Sequence, residues 1–194
     1  MAQHPPVPIW AADKAGLDPK RGYRFILYLD GIPSYFIKSS GVPKLTVGDG
    51  GTHKFLGHEF KFPGSAKWEG DIEVKLVDTI DYNMAMKFTD YIRNAGYVYP
   101  GNFSESSTSP FYYKKTISKA KFPFKQVIIQ RLDAEGQIYE SWVLNNPWIS
   151  GVTYGDASYE DEKLIEMGVT FKYDWAELRD KDSANPPTLP TKKA

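Results

Sequence analysis

The side chains best suited to bind a metal in this sequence are three histidines, His4, His53 and His58, and there is no cysteine beside them. Tetrahedral zinc sites need four ligands drawn from cysteine, histidine and carboxylates at short spacings. An odd number of positions separates His53 from His58, so a regular strand would place them on opposite faces. The lack of cysteine also excludes disulfides and thiol nucleophiles. We expect no metal site and no cofactor.

Residue patterns for nucleophilic catalysis and phosphate binding are also missing. The sequence contains no Gly-x-Ser-x-Gly elbow. The run Gly48-Asp-Gly-Gly51 is glycine-rich, but no Lys-Ser or Lys-Thr pair follows it as in a phosphate-binding loop. The acidic cluster of Glu160, Asp161 and Glu162 fits a solvated loop, or a guard against mispairing at a strand edge, better than an acid–base pair. We therefore expect no catalytic residues and no enzymatic activity.

Lysines and aromatic residues alternate between positions 111 and 125. They are Phe111, Tyr112, Tyr113, Lys114, Lys115, Lys119, Lys121, Phe122, Phe124 and Lys125. Such interleaving can form a stacking surface for single-stranded nucleic acid. However, 24 basic and 24 acidic residues give a formal net charge of zero, so no global field attracts a polyanion. We favour an amphipathic strand edge whose lysines oppose aggregation.

The composition favours one β-rich domain with long loops. Aromatic residues make up 15% of the 194 residues, and 16 glycines and 14 prolines interrupt the chain often. No apolar run is long enough to span a bilayer, and the proline-rich start does not resemble a signal peptide. We expect a soluble protein that is made in the cytoplasm and does not insert into membranes.

The most regular segment of the sequence covers residues 162–174. Most of its apolar residues lie at odd-numbered positions and its more polar residues at even-numbered positions. This alternation predicts one long strand with two different faces. We expect one face to pack on a sheet and the other to meet something outside the fold. On this interpretation, copies of the chain continue the hydrogen bonding of the ribbon and cover its apolar side.

Other strands are predicted from alternation and turn residues. Residues 23–29 and 35–39 should form a hairpin around the turn at Asp30-Gly-Ile-Pro33. Residues 41–53 read as a loop or mobile ribbon, followed by a strand over 54–62, a turn at Pro63-Gly64 and a strand over 71–77. In the second half we expect strands over residues 125–132, 137–144 and 148–154.

One helix is predicted, over residues 81–95. Met84, Phe88, Tyr91 and Ile92 form an apolar stripe with helical spacing, and Gly96 can end the helix. Asp78, Thr79 or Asp81 could cap it. We divide the chain into an N-terminal arm (1–22), a β domain (23–175) and a C-terminal tail (176–194), with a polar excursion over 97–110. The expected fold is mainly β, an antiparallel sandwich or small barrel with one helix and two extended arms.

The order of these elements resembles the tail tube proteins of contractile-tailed bacteriophages, which are related to the tube subunits of other contractile injection systems. The segments that carry the likeness are residues 24–33, 36–42, 60–64 with Trp68, 71–76, 127–133, 139–147 and 156–175. Among them, residues 36–42 resemble the family's "V-S-G-L" loop, and 139–147 its strand pair ending in "W-x-l-x-n-a-w-P". The likeness spans roughly residues 23–175 and leaves the arms and the polar excursion outside it.

This resemblance implies a virion protein that forms stacked hexameric rings, a hollow tube for DNA ejection, assembled in the host cytoplasm. It implies contacts with the sheath, the baseplate, the tail terminator and a tape-measure protein in the lumen. Two close alternatives are a tube subunit of a bacterial injection or secretion system and a tube-initiating baseplate protein. A third alternative is a β-sandwich module that binds carbohydrate through tryptophan and tyrosine.

If the chain forms a tube, its subunit interface should include the glycine-rich loop and the N-terminal arm. The candidate interface residues are Trp10, Val42, Lys44, Leu45, Val47, Phe55, Glu160, Asp161 and Glu162. A ring that stacks head to tail repeats one heterologous contact along an axis and therefore polymerises.

Overall fold

The computed structural model describes residues 19–97, 116–157, 159 and 162–180. These residues form ten strands and one α-helix. The elements are β1 (Phe25–Leu29), β2 (Ile37–Ser40), β3 (Lys44–Phe55), β4 (His58–Glu69), β5 (Asp71–Val77), α1 (Met84–Asn94), β6 (Gln126–Leu132), β7 (Ile138–Asn145), β8 (Trp148–Thr153), β9 (Glu166–Lys172) and β10 (Trp175–Asp180).

Eight of the strands build two antiparallel sheets of four. The first sheet has the order β1-β6-β7-β10, and the second has the order β2-β5-β9-β8. The remaining pair, β3 and β4, forms a separate two-stranded hairpin. The prediction of a mainly β antiparallel sandwich with one helix is confirmed, while the described strands form no closed barrel.

The core lies between the two sheets and follows the alternation of their strands. Ile72, Val74 and Leu76 on β5 are at most 2% exposed, and Val169 and Phe171 on β9 are fully buried. Because successive side chains of a strand point to opposite faces, one parity of each strand enters the core. Full burial of such a side chain contributes about 1.5–3 kcal/mol.

The helix covers part of this core with the predicted stripe. Met84 and Phe88 are fully buried, and Phe88 packs edge-on against Tyr91. The helix is shorter than predicted, because Asn83 caps it by accepting a bond from the amide of Met86 at 2.8 Å. It ends before Gly96, whose φ of +126° suits glycine. No helix among the described residues is long and apolar enough to cross a membrane.

Three predictions about strands are wrong, one in the pairing of two strands, one in a loop and one in the position of a turn. The strands predicted over residues 23–29 and 35–39 form no hairpin, because β1 pairs with β6 and β2 pairs with β5 in the other sheet. The turn after Leu29 instead carries the chain from one sheet to the other. The loop or mobile ribbon predicted over residues 41–53 is for the most part strand β3, the strand predicted over 54–62 is split by the hairpin tip, and Pro63-Gly64 lies inside β4 instead of at a turn.

The ribbon predicted over residues 162–174 is confirmed in its alternation of faces but is wrong in its length and in its role between copies. The strand begins only at Glu166, and both of its edges are paired within the chain, to β5 and to β8. Its apolar residues Met167, Val169 and Phe171 are fully buried in the core of the single molecule. Copies of the chain therefore cannot continue the hydrogen bonding of this strand or cover its apolar face.

The boundaries of the arms are only partly described. Strand β10 continues to Asp180, beyond the predicted end of the β domain at residue 175. Residues 1–18 of the arm, 181–194 of the tail and most of the polar excursion lie outside the described residues. The division into arm, domain and tail stays a prediction.

Candidate assembly surface

Strands β3 and β4 form a long hairpin, residues 44–69, in which nearly every side chain is exposed. Its two strands pair with each other and with no other strand among the described residues. At about 3.4 Å per residue, twelve residues extend roughly 40 Å. An isolated two-stranded hairpin is at best marginally stable in water, so a ribbon of this length requires an additional contact.

The hairpin has a half near its base and a half near its tip. In each half, the apolar side chains lie on one face. Near the base, Leu45 lies opposite Trp68 and shares a face with Val47. Near the tip, Phe55, Phe60 and Phe62 share a face with the two histidines. The other face is polar, with the pairs Lys44–Glu69, Thr46–Lys67, Thr52–Lys61 and Lys54–Glu59. The phenylalanines are 50–59% exposed, so the apolar face lacks a partner within the described chain.

The tip of the hairpin is a two-residue turn at Leu56 and Gly57, with φ values of +47° and +81°. A turn with positive φ at both positions matches the twist of a hairpin, and asparagine or glycine usually occupies its first position. Leucine in this conformation is strained by about 1–2 kcal/mol, and Leu56 is also 82% exposed. An apolar side chain held there at such a cost is consistent with a contact site at the tip.

The middle of the hairpin is a point of very close backbone approach. The pairing is irregular around Asp49, opposite Pro63. A Cβ atom at Gly50 would lie only 2.5 Å from the carbonyl oxygen of Pro63, and one at Gly64 would lie 3.0 Å from Asp49. Only glycine fits at position 50, and the φ of +112° at Gly51 also favours glycine. These two positions belong to the glycine-rich run that sequence analysis compared with a phosphate loop.

The base of the hairpin is tied firmly to the second sheet. The Tyr173 hydroxyl donates to the carbonyl of Glu69 at 2.7 Å, and the amide of Gly41 donates to the carbonyl of Glu73 at 2.8 Å. Hydrogen bonds from the side chains of Lys44 and Thr46 hold the pKa of Glu69 below its usual value. Burial raises the pKa of Tyr173, so this hydroxyl remains a donor at physiological pH. These contacts set the direction in which the hairpin projects.

Five of the predicted interface residues lie on the hairpin or next to its base, spread along its length. Val42 lies at the base of the hairpin, Lys44, Leu45 and Val47 lie along β3, and Phe55 ends that strand. Glu162 is exposed but far from them along the chain, while Trp10, Glu160 and Asp161 lie outside the described residues. That these residues form an interface stays a prediction.

Sequence analysis missed the apolar residues of the second strand, above all Phe60 and Phe62. Their alternation with Glu59 and Lys61 indicated a strand with one apolar face. The alternation was therefore visible in the sequence. Because a turn was predicted at Pro63-Gly64, however, the strand with Phe60 and Phe62 was assigned to the sandwich and not to a projecting hairpin.

Two other groups of residues singled out in the sequence can be compared with the structure, the candidate metal ligands and the lysine–aromatic segment. Across residues 19–97, 116–157, 159 and 162–180, no group of three histidine, cysteine or acidic residues lies close enough to hold a metal ion. Phe122 and Phe124 of the lysine–aromatic segment are buried in the core and are not free to stack on bases. Two shallow cavities, of about 520 and 630 Å³, lie over the second sheet and are lined mostly by charged and small residues.

No family model and no curated protein matches the sequence. Solved structures with a similar fold include the tube-terminating cap of the anti-feeding prophage, at 17% identity and a TM-score of 0.56, covering 90% of this chain and 99% of that one. A sheath/tube terminator of the PVC extracellular contractile injection system matches at 15% identity and a TM-score of 0.55, covering 85% and 99%.

A chain of the PVC sheath–tube complex matches at 16% identity and a TM-score of 0.52, covering 86% of this chain and 95% of that one. Such likeness at low identity concerns the fold. Together with the two four-stranded sheets and the helix, it shows that this chain has the tube fold of these contractile injection system structures.

Proposed function

We propose that this chain is a non-enzymatic structural subunit that assembles with copies of itself into stacked rings, the hollow tube of a contractile particle. The observation that carries the proposal is the exposed hairpin, whose apolar face has no partner among the described residues. A second copy of the chain is the occupant we infer, because the neighbours in fold come from tube and tube-terminator structures.

The unpaired sheet edges also support self-assembly. Within the described chain, β1 and β10 bound the first sheet, and β2 and β8 bound the second. Exposed strand edges are templates for pairing with another chain, and closure into a ring removes them. In this proposal, the hairpin and these edges form the contacts between copies that sequence analysis assigned to the ribbon over residues 162–174.

The more specific proposal is a phage tail tube of hexameric rings, part of the virion and assembled in the host cytoplasm. Its channel would pass DNA and hold a tape-measure protein, with the sheath around it and the baseplate and terminator at its ends. The competing candidate is a tube or terminator subunit of an injection system. The structures reported above favour this candidate, because PVC is described as an extracellular contractile injection system.

Electron microscopy of the purified protein tests the general proposal. We expect rings or hollow rods from the wild type and only small species from Phe60→Ser/Phe62→Ser. Phe60 and Phe62 are 50% and 55% exposed, so covering them on assembly contributes about 0.75–1.5 kcal/mol each. The double variant should therefore raise the concentration needed for assembly at least ~10-fold. The control is Tyr35→Ser, since Tyr35 is 78% exposed outside the hairpin. The proposal would be contradicted if the wild-type protein stayed monomeric both alone and after addition of the baseplate of its particle.

The two kinds of particle differ in what they contain. Native particles should be purified, treated with nuclease and assayed for protected DNA. Protected genomic DNA supports the phage tail, and particles that carry protein without DNA support the injection system.

A further inference from the structure

The outward face of the first sheet is closed to water at its centre. Ile128 and Gln130 of β6 lie opposite Val143 and Ser141 of β7, and all four are at most 4% exposed. Ile128 and Val143 nevertheless lie outside the core cluster, because they alternate with the residues of β6 and β7 that enter the core. A surface that is not part of the core must therefore cover them.

The strands and the helix given above do not supply this cover. The second sheet and α1 pack against the other side of the first sheet, where Val127 and Ile129 enter the core. Within the described chain, the hairpin pairs only with itself. The flanking strands shield the face from the sides, and their own side chains stay open to water, with Tyr28 of β1 38% exposed and Trp175 of β10 42% exposed.

Two polar atoms indicate the chemistry of the covering surface. Gln130 Oε1 and Ser141 Oγ are buried and lack a hydrogen-bond partner among the described residues. Most buried polar groups in folded proteins are paired, so each of these atoms calls for a partner. An extended peptide offers an N–H group to the glutamine oxygen and a carbonyl to the serine hydroxyl. Its side chains can cover Ile128 and Val143 at the same time.

The chain enters the described structure at one end of this same face. Lys20 lies over the ring of Tyr139, with its ammonium nitrogen 5.1 Å from the ring centroid, and it also pairs with Glu140. Tyr139 has the same parity on β7 as Ser141 and Val143, so its side chain belongs to the outward face. The two contacts of Lys20 therefore hold the preceding part of the chain at the end of this face.

The preceding part of the chain, residues 1–18, is here called the leading segment, and it is long enough to cross the face. Eighteen residues in an extended conformation span about 60 Å, whereas the eight residues of β7 extend only about 27 Å. The segment carries apolar residues that can cover the face, Ile9, Trp10 and Leu17. A tryptophan has a large apolar surface, and covering the face would remove it from water.

We propose that the leading segment lies along the outward face of the first sheet of its own chain, as a strap that Lys20 holds at the Tyr139 end. The same chain is the source because the contacts of Lys20 already bring the segment to this face, at a high effective concentration. This inference goes beyond the proposed function and does not depend on self-assembly. It assigns Trp10 to the folded body, whereas sequence analysis expected it at the interface between copies.

Thiol labelling of the unassembled protein tests the placement, because the chain has no native cysteine. In Ser141→Cys, a small maleimide should react slowly. Adding Ile9→Ser/Trp10→Ser/Leu17→Ser, the strap variant, should speed the reaction at least about tenfold, because the cover over this position is lost. An equal rate with and without the three changes would overturn the inference.

Two other segments outside the described residues provide matched controls. Leu189→Ser changes the C-terminal tail, and Phe111→Ser/Tyr112→Ser changes the lysine–aromatic segment. Neither change should alter the labelling rate of Ser141→Cys. If either of them speeds the reaction and the strap variant does not, another segment covers the face and the inference is wrong.

A second pair of variants separates exposure of this face from unfolding. Val169→Cys, fully buried in the core, should remain unlabelled in every background if the body stays folded. Lys20→Gln is a milder change that removes only the charge holding the strap, and it should speed labelling of Ser141→Cys about threefold. The neighbouring Arg21→Gln should have no effect. If the strap variant unfolds, Lys20→Gln decides, and equal rates for Lys20→Gln and Arg21→Gln would overturn the inference.

Mixing distinguishes a strap of the same chain from one supplied by another copy. The strap variant carrying Ser141→Cys should be labelled at the same fast rate when wild-type protein is added in excess, since each wild-type strap covers its own sheet. Protection that increases with the concentration of wild type would overturn the inference in favour of exchange between copies. Because all measurements use unassembled protein, their outcome is independent of whether rods form.

Discussion

The carboxylate of Glu140 lies almost fully buried near the start of β7, where three side chains stabilise its charge. Lys20 forms an ion pair with it, the Trp142 indole donates to it at 3.0 Å, and Arg131 lies 3.7 Å away. Burial works against ionisation, but the hydrogen bonds from Lys20 and Trp142 outweigh it and lower the pKa of Glu140. A partly desolvated charge with several partners depends strongly on each of them.

The Glu140→Gln variant should lose stability at neutral pH and become less sensitive to acid. A carboxylate with a lowered folded-state pKa contributes its full stability above its ordinary value of 4.5 and loses it as pH falls through the folded-state pKa. Removing the charge should cost about 1.5 kcal/mol at pH 7 and flatten the stability profile below pH 4.5. Chemical denaturation at several pH values measures both effects.

Glu135→Gln, in the exposed β6–β7 turn, is the matched control and should leave the profile unchanged. A Glu140→Gln profile parallel to that of the wild type at all pH values would show that this carboxylate does not contribute to acid sensitivity.

At the scale of elements, the hairpin is unusual because its length and pairing are independent of the core. Its strands contact each other far more than any other part of the described chain, and only Trp68 packs partly against the core. The hairpin is therefore shaped by its own turn and by the close approach at Gly50, while the sheets are shaped by burial. Changes within it should alter assembly without altering the fold of the body.

Gly50→Ala should distort the hairpin and leave the body intact. The new methyl group would lie 2.5 Å from the Pro63 carbonyl oxygen, and relieving such an overlap costs about 1–3 kcal/mol. We expect faster proteolysis within residues 44–69 and loss of rods, with an unchanged melting temperature. Limited proteolysis measures the rate of cleavage, electron microscopy detects the rods, and calorimetry measures the melting temperature.

Gly48→Ala is the control on the same strand, because a Cβ there meets only an ordinary contact at 3.5 Å. If the two alanine variants behave alike, the close approach is not what maintains the shape of the hairpin.

At the scale of the whole molecule, the body, which consists of the two four-stranded sheets and α1, has a different role from the projecting hairpin. The body buries its apolar residues between the sheets and under α1, which makes it stable as a single chain. The hairpin exposes its apolar residues, and covering them with another surface would stabilise it further. Such a division lets a subunit fold first and polymerise afterwards.

Replacing residues 46–67 by Asn-Gly should give a folded protein that cannot assemble. The replacement joins Leu45 to Trp68 through a two-residue hairpin turn and removes no residue of the core cluster. We expect the melting temperature to change by no more than a few degrees, roughly 1 kcal/mol. Sedimentation should detect a monomer, and no rods should form. Unfolding of this variant would mean that the hairpin is needed for the fold.

The sequence by itself determined the local features of this protein. Alternation in residues 71–77 predicted β5, because the parity of a strand depends only on neighbouring residues, and the strand predicted over residues 125–132 matches β6 to within one residue. The helical stripe and Gly96 predicted α1, and the lack of cysteine excluded thiolate chemistry. The order of motifs also indicated the tail tube fold.

Only the tertiary structure decided which strands pair and which faces remain open. The apolar side of β9 read as a surface for other copies, yet β5, β8 and the core cover it. The residues taken for a loop became half of the exposed hairpin. The physical reason is that alternation along a strand indicates which side chains are buried but not which residues cover them. The covering residues depend on sheet pairing, which joins segments that are far apart in the chain.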